Sequence, residues 1–273
     1  MAEIATIRAG SSPVILAFPH SGTVLPDDIS QRLDDNGLLL ADTDWHLPRL
    51  YADLLPDATM VQAVHHRYVI DLNRDPTGAS LYPGQNTTGL VPLTDFDNVP
   101  IWQDGMAPDA TEIKRRKAAY HAPYHAALQA ELDRVRAIHG IAVLYDCHSI
   151  RSHIPFLFEG KLPDFNIGTD LGRTCDPAIE AATLDAVGRG TDYTHVLNGR
   201  FRGGWTTRHY GRPEEHLHAV QMELSQSTHL ASEAVPFDYD PARAERLRHV
   251  LRDVLTGIEA AAFKLAEQGK KTK

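Results

Sequence analysis

The chain has 273 residues, with 27 Lys and Arg against 36 Asp and Glu, a net charge of −9. Hydrophobic residues at 42% and charged residues at 23% suit a globular protein with a sizeable core, and exclude disordered, collagen-like and coiled-coil classes. The acidic balance argues against a nucleic-acid partner. Two cysteines cannot build a disulfide framework or a thiolate metal site, so a metal here must rest on His and carboxylate ligands. Fifteen histidines are unusually many, and raise the question of whether any are ligands. The N-terminus lacks a signal-peptide pattern and no window approaches a membrane span, so a cytoplasmic setting without a membrane partner is expected. No repeat or linker is visible. One domain over residues 1–273 is expected, its core about 13–265, with a frayed tail at 268–273.

In chain order, Val14–Phe18 is a continuous apolar run and reads as a buried strand. Leu47–Leu55 has helical spacing. Thr59–Val64 and Tyr68–Leu72 read as a pair of strands. The segment Pro76–Pro108 is rich in Pro and Gly and has little periodicity. A loop of that length is usually functional or disordered, and a lid over a site is one option. Glu112–Ile138 reads as a long helix that Pro123 breaks or kinks. Ile141–Tyr145 and Ala219–Leu224 are further strands. Asp176–Val187 and Pro241–Leu265 are further helices, the last with Pro at its first turn. Strands alternating with helices predict an α/β fold with a mostly parallel sheet.

Several of these strands run into polar clusters: His20 after Val14–Phe18, Asn73-Arg74-Asp75 after Tyr68–Leu72, and Asp146-Cys147-His148-Ser149 after Ile141–Tyr145. Ligands in open α/β sheets bind outside the carboxyl ends of strands. His20 and His148 are therefore candidate metal ligands, or else loop caps. Asp146 is a candidate to orient the His148 ring. Asp42 and Asp44 precede a helix, where Asp usually caps, yet either is a candidate carboxylate ligand. Glu223 lies in an apolar strand, where it must be paired, metal-bound or shifted in pKa, unless that strand is an edge facing solvent. A general base is the functional reading. Between Asp192 and Glu214 the chain carries Arg200, Arg202, Arg208 and Arg212 and no acid. On an acidic chain this stretch, with Arg74, suggests a pocket for a small anion, unless it is a solvated basic loop. His121 and His125 have metal-binding spacing but no companion Glu, and Pro123 lies between them.

The ordered set PHSG (Pro19–Gly22), ADTDW (Ala41–Trp45), DLNRDP (Asp71–Pro76), DCHS (Asp146–Ser149), FRGGWTTRHYG (Phe201–Gly211) and QMEL (Gln221–Leu224) resembles the N-formylglutamate amidohydrolases of histidine degradation. The resemblance implies a mixed, mainly parallel sheet flanked by helices, similar to zinc carboxypeptidases and aspartoacylases. It implies one zinc ion on His20, Asp44 and His148, with Asp42 as the alternative to Asp44, because the His-x-x-Glu pair of those relatives is absent after His20. It implies Glu223 as general base, and Asn73, Arg74, Arg202 and Arg208 as contacts for a small dicarboxylate substrate, with His209 nearby. The implied reaction is hydrolysis of N-formyl-L-glutamate to formate and L-glutamate. The rival readings are a zinc amidohydrolase for another acyl amino acid and a non-catalytic anion-binding protein.

Overall fold

The computed structural model describes residues 3–80 and 84–271. Its strands are β1 (Ala5–Arg8), β2 (Val14–Phe18), β3 (Thr59–Ala63), β4 (Ala142–Ile150), β5 (Phe165–Gly168), β6 (His195–Leu197) and β7 (Leu217–Ser225). They form one sheet in the order β1-β3-β2-β4-β7-β5-β6. The pairings β2–β3, β2–β4, β4–β7 and β5–β6 are parallel, whereas β1–β3 and β5–β7 are antiparallel. The sheet is thus mixed and mainly parallel, as the sequence predicts.

Helices cover both faces. They are α1 (Asp27–Ser30), α2 (Leu47–Tyr51), α3 (Ala110–Arg116), α4 (Ala122–His139), α5 (Pro177–Arg189), α6 (Trp205–Tyr210) and α7 (Pro241–Lys271). Val14, Leu16 and Phe18 point into a core shared with α2, α5 and α7. Ile15 and Ala17, between them, point into a second core shared with α4. This two-sided burial is why the run is continuously apolar. Local chemistry sets the helix ends. Asp109, Asp176 and Asp240 accept backbone N–H bonds at the starts of α3, α5 and α7. Gly140 closes α4 at φ 78°, a left-handed turn that favours glycine.

Several predicted elements change, and the helix expected over Leu47–Leu55 ends at Tyr51. Tyr68–Leu72 is buried but is no strand. Both edges of β3 are taken, by β1 and β2, so no partner remains for it. The long helix predicted over Glu112–Ile138 divides into α3, a π turn at Lys117–His121 and α4, with Pro123 in the first turn of α4. Pro123 lacks the N–H that would continue the ladder, and the run is bonded i→i+5 just before it, where the Ala122 N–H meets the Lys117 carbonyl. α7 runs past the predicted Leu265 through Lys271; residues 272 and 273 lie outside the described residues. Among the described residues no helix is long and apolar enough to cross a membrane.

His218 of β7 is buried, and its Nδ1 accepts the Asp176 N–H at 3.1 Å. Burial pushes its pKa down to about 4. The folded state keeps this ring neutral, whereas the unfolded chain protonates it near pH 6.5. Its stabilising contribution is therefore complete above that pH and is lost as pH falls toward 4. The loss is of order 3 kcal/mol. Urea midpoints of His218→Asn, whose amide oxygen can still accept the Asp176 N–H, should vary less between pH 7 and 4.5 than those of the parent. An equal pH dependence would count against the assignment.

Candidate active site

β2, β4 and β7 are neighbours, so their carboxyl ends lie side by side. His20 follows β2 directly. His148 and Glu223 lie within β4 and β7, in register with one another. The sequence places Asp146–Ser149 just after a strand. In the structure β4 continues to Ile150, because β7 pairs with it along its whole length. β7 is also paired with β5 on its other side, so Glu223 is on an interior strand and not on a solvent edge.

His20, Asp44 and His148 are buried, and one donor atom from each lies within 4.8 Å of the others. Asp44 is brought in by a backbone bond from its N–H to the His20 carbonyl at 3.0 Å. Its Oδ2 lies 3.2 Å from His148 Nδ1 and 3.8 Å from His20 Nδ1. Both rings therefore turn the same nitrogen toward one carboxylate. Their other nitrogens face carboxylates behind the cluster: His20 Nε2 donates to Asp71 Oδ1 at 2.7 Å, and His148 Nε2 is 3.1 Å from Asp146 Oδ1. The Asp71 carboxylate behind His20 holds that ring's tautomer and leaves its Nδ1 as a donor atom, the usual support for a metal-binding His. Two imidazoles and one carboxylate also fit a catalytic cation with an open position. The donor set thus suits a divalent cation.

Asp42 does not join this cluster. Its Oδ1 accepts the Phe96 N–H at 3.2 Å, and burial pushes its pKa up to about 7. Neither Asp caps the helix; His46 stands at the start of α2.

Electrostatics divides the site. Burial pushes the Glu223 carboxyl up to about 8, although the His148 charge opposes it. Burial lowers His20. Burial also acts against a charged His148, but Asp146 and Asp44 outweigh it and raise the pKa well above the ordinary value. At Asp71 the Arg67 guanidinium, 2.6 Å away, overcomes burial and holds the carboxyl well below the usual range.

The cluster and Glu223 open into a cavity of about 260 Å³. Asn73, Arg74, Arg67, Arg200 and Gln221 also line it. Asn73 Nδ2 is 3.1 Å from His148 Nε2, and its Oδ1 accepts the Thr206 N–H at 2.8 Å. Arg74 is braced on Thr88, with its Nε bonded to the Thr88 carbonyl at 2.9 Å. Residues 78–80, 86–90 and 96 of the Pro–Gly-rich segment form one wall; residues 81–83 lie outside the described residues.

Among the described residues that line the cavity are Arg67, Arg74 and Arg200, but not Arg202 or Arg208. Arg202 Nε binds the Gly199 carbonyl, and Arg208 Nε binds the Gly203 carbonyl and lies 3.4 Å from Asp170. The stretch is not a free basic loop, because α6 forms within it and turns Arg208 toward Asp170. Arg212 pairs with Glu215, and His209 stacks on Trp205. Gly204 sits against the Asn73 amide so closely that a Cβ there would collide with it. Its tight approach is thus to a protein side chain.

Sequence reasoning missed Arg67 and Asp71 as parts of the site. Both flank the buried Tyr68–Ile70 run, which was a usable signal. His121 and His125 fall outside the metal-capable cluster found among the described residues, and each ring bonds a backbone carbonyl, of Arg74 and Leu72 respectively.

A doubly covered sheet with a donor set that could hold a cation, and a buried glutamate, at its carboxyl edge defines a class, the α/β-type hydrolytic enzymes. The family is narrower. A model of the N-formylglutamate amidohydrolase family matches residues 12–230, and the chain belongs to that family. The N-formylglutamate deformylase of Pseudomonas aeruginosa is 48% identical over 263 residues, covering 95% of this chain and 97% of that one. The enzyme of the same name from Pseudomonas putida is 45% identical, again over 95% and 97%. The crystal structure of N-formylglutamate amidohydrolase from Ralstonia eutropha JMP134 shares the fold, with a TM-score of 0.74 at 24% identity and 99% coverage of both chains.

Proposed function

We propose that this protein hydrolyses N-formyl-L-glutamate to formate and L-glutamate. The observation that carries the reading is the register pairing of His148 with Glu223 at the floor of an arginine-lined cavity. His20, Asp44 and His148 would hold the cation, with zinc favoured by two nitrogen donors and one oxygen. When bound, the cation supplies Lewis-acid polarisation of the formyl oxygen and acidifies water.

The protein's own groups do the rest. Glu223 accepts a proton from the attacking water as its oxygen bonds to the formyl carbon. It then delivers that proton to the amide nitrogen as the C–N bond breaks. A carboxyl pushed up to about 8 suits both halves of this exchange near neutral pH. Gln221 Nε2, 3.4 Å from Glu223 Oε2, orients the carboxylate. Arg74 and Arg200, with Asn73, face the cavity and would bind the substrate carboxylates through guanidinium forks. In this reading Arg202 and Arg208 shape the Gly203 turn and do not touch substrate.

Formate release from N-formyl-L-glutamate should occur with purified protein, stop on addition of a chelator and return on adding zinc. Cleavage of N-acetyl-L-aspartate in preference would move the substrate assignment. Undiminished turnover after complete metal removal would overturn the mechanism.

A further inference from the structure

The irregular segment Tyr68–Arg74 leaves the sheet, so its backbone carbonyls need other donors. The helical run from α3 to α4 supplies them from side chains. Arg116 Nη1 donates to the carbonyls of Tyr68 at 3.3 Å and Val69 at 3.0 Å. His125 Nε2 donates to Leu72 O at 2.8 Å, and His121 Nε2 to Arg74 O at 3.1 Å. The two imidazole bonds therefore bracket Asn73. At 3.6 residues per turn, Arg116 and His121, five positions apart, would point in different directions. The π turn at Lys117–His121 takes up the extra residue and brings His121 back toward the face of Arg116.

The two rings are themselves held. Their centroids are 4.3 Å apart, and Trp205 packs on both, at 5.4 Å from His121 and 4.7 Å from His125. The Leu72 carbonyl can only accept, so His125 Nε2 carries the ring proton and Nδ1 faces the Tyr210 hydroxyl at 3.0 Å, which also donates to the His125 carbonyl at 3.2 Å. Trp205 directly follows Gly204, whose backbone abuts the Asn73 amide. The Asn73-Arg74 turn is thus clamped by His121 and His125 on one side and by Gly204 of the cavity wall on the other.

We propose that His121 and His125 are positioning residues, which aim Asn73 and Arg74 at the substrate by fixing the carbonyls on either side of Asn73. The proposal rests on the reading above that Asn73 and Arg74 bind the substrate. Loss of the bond to the Arg74 carbonyl loosens the backbone from which Asn73 and Arg74 project, although Thr88 still holds the guanidinium, which weakens ground-state binding and leaves proton transfer at Glu223 intact.

His121→Phe keeps a ring of similar shape and removes the donor. Its KM for N-formyl-L-glutamate should rise about tenfold, with kcat within about threefold of the parent and metal content unchanged. His121→Gln retains an amide N–H that reaches the same carbonyl, and should restore KM to within about twofold. His121→Asn, too short to reach, should behave as His121→Phe does and provides the test if the Phe variant fails to fold. Hydrogen exchange of residues 71–76 should quicken in the Phe and Asn variants and not in Gln. A parent-like KM in folded His121→Phe or His121→Asn would overturn the proposal, as would a folded His121→Gln without rescue. If the parent releases no formate, the functional reading fails instead. Exchange at residues 71–76 then still decides whether the imidazoles hold this turn.

Discussion

Glu223→Gln should lower kcat for formate release by roughly 10²–10⁴-fold while the protein keeps its bound metal. The amide matches the carboxylate in size and can still meet Gln221, so the fold and the cluster of His20, Asp44 and His148 are preserved. What it cannot do is take a proton from water. Its position makes the effect large: Glu223 is only 7% exposed and lies on an interior strand, in register with His148. Bulk water therefore cannot readily substitute as base. Metal content by atomic absorption, measured alongside kcat, separates a lost base from a lost ligand. A kcat within about tenfold of the parent would remove Glu223 from the proton path.

His148→Ala should lose metal and activity together. The ring is 2% exposed and stands between Asp44 and Asp146. Removing it deletes one of three donors and leaves two buried carboxylates facing a void. Breaking a buried charge cluster in this way costs about 3–5 kcal/mol, so the variant should also melt earlier. Circular dichroism at the assay temperature shows whether the protein remains folded. Stoichiometric zinc retained by a folded variant would exclude His148 as a ligand. These variants differ in kind: Glu223→Gln separates metal from turnover, and His148→Ala removes both.

Much of this was legible in the chain because burial writes itself into local composition. Val14–Phe18 and Ile141–Tyr145 are apolar on both alternating faces, and each leads to one His. Glu223 is conspicuous because its neighbours are apolar. Tyr68–Leu72 has the same composition and is no strand, since a buried run records burial and not its pairing partner. The arginine-rich stretch was visible as a local excess of charge, yet of its arginines only Arg200 is among the described residues that line the cavity. α6 turns Arg208 toward Asp170, and nothing in the spacing of the arginines encodes that direction.

The sequence by itself determined the chemical inventory: no thiolate site, histidines and a glutamate next to buried strands, and guanidiniums on an acidic chain. It also determined the alternation of strands and helices. The tertiary structure decided which members of that inventory meet. It selected Asp44 over Asp42 for the cluster, set Asp71 behind His20, and put Arg67 and Arg200 in the cavity wall. Each of these outcomes depends on strand order and on the direction of side chains across elements far apart in the chain. Local propensity carries no term for such contacts, because their energy exists only once the sheet has assembled and both partners are buried.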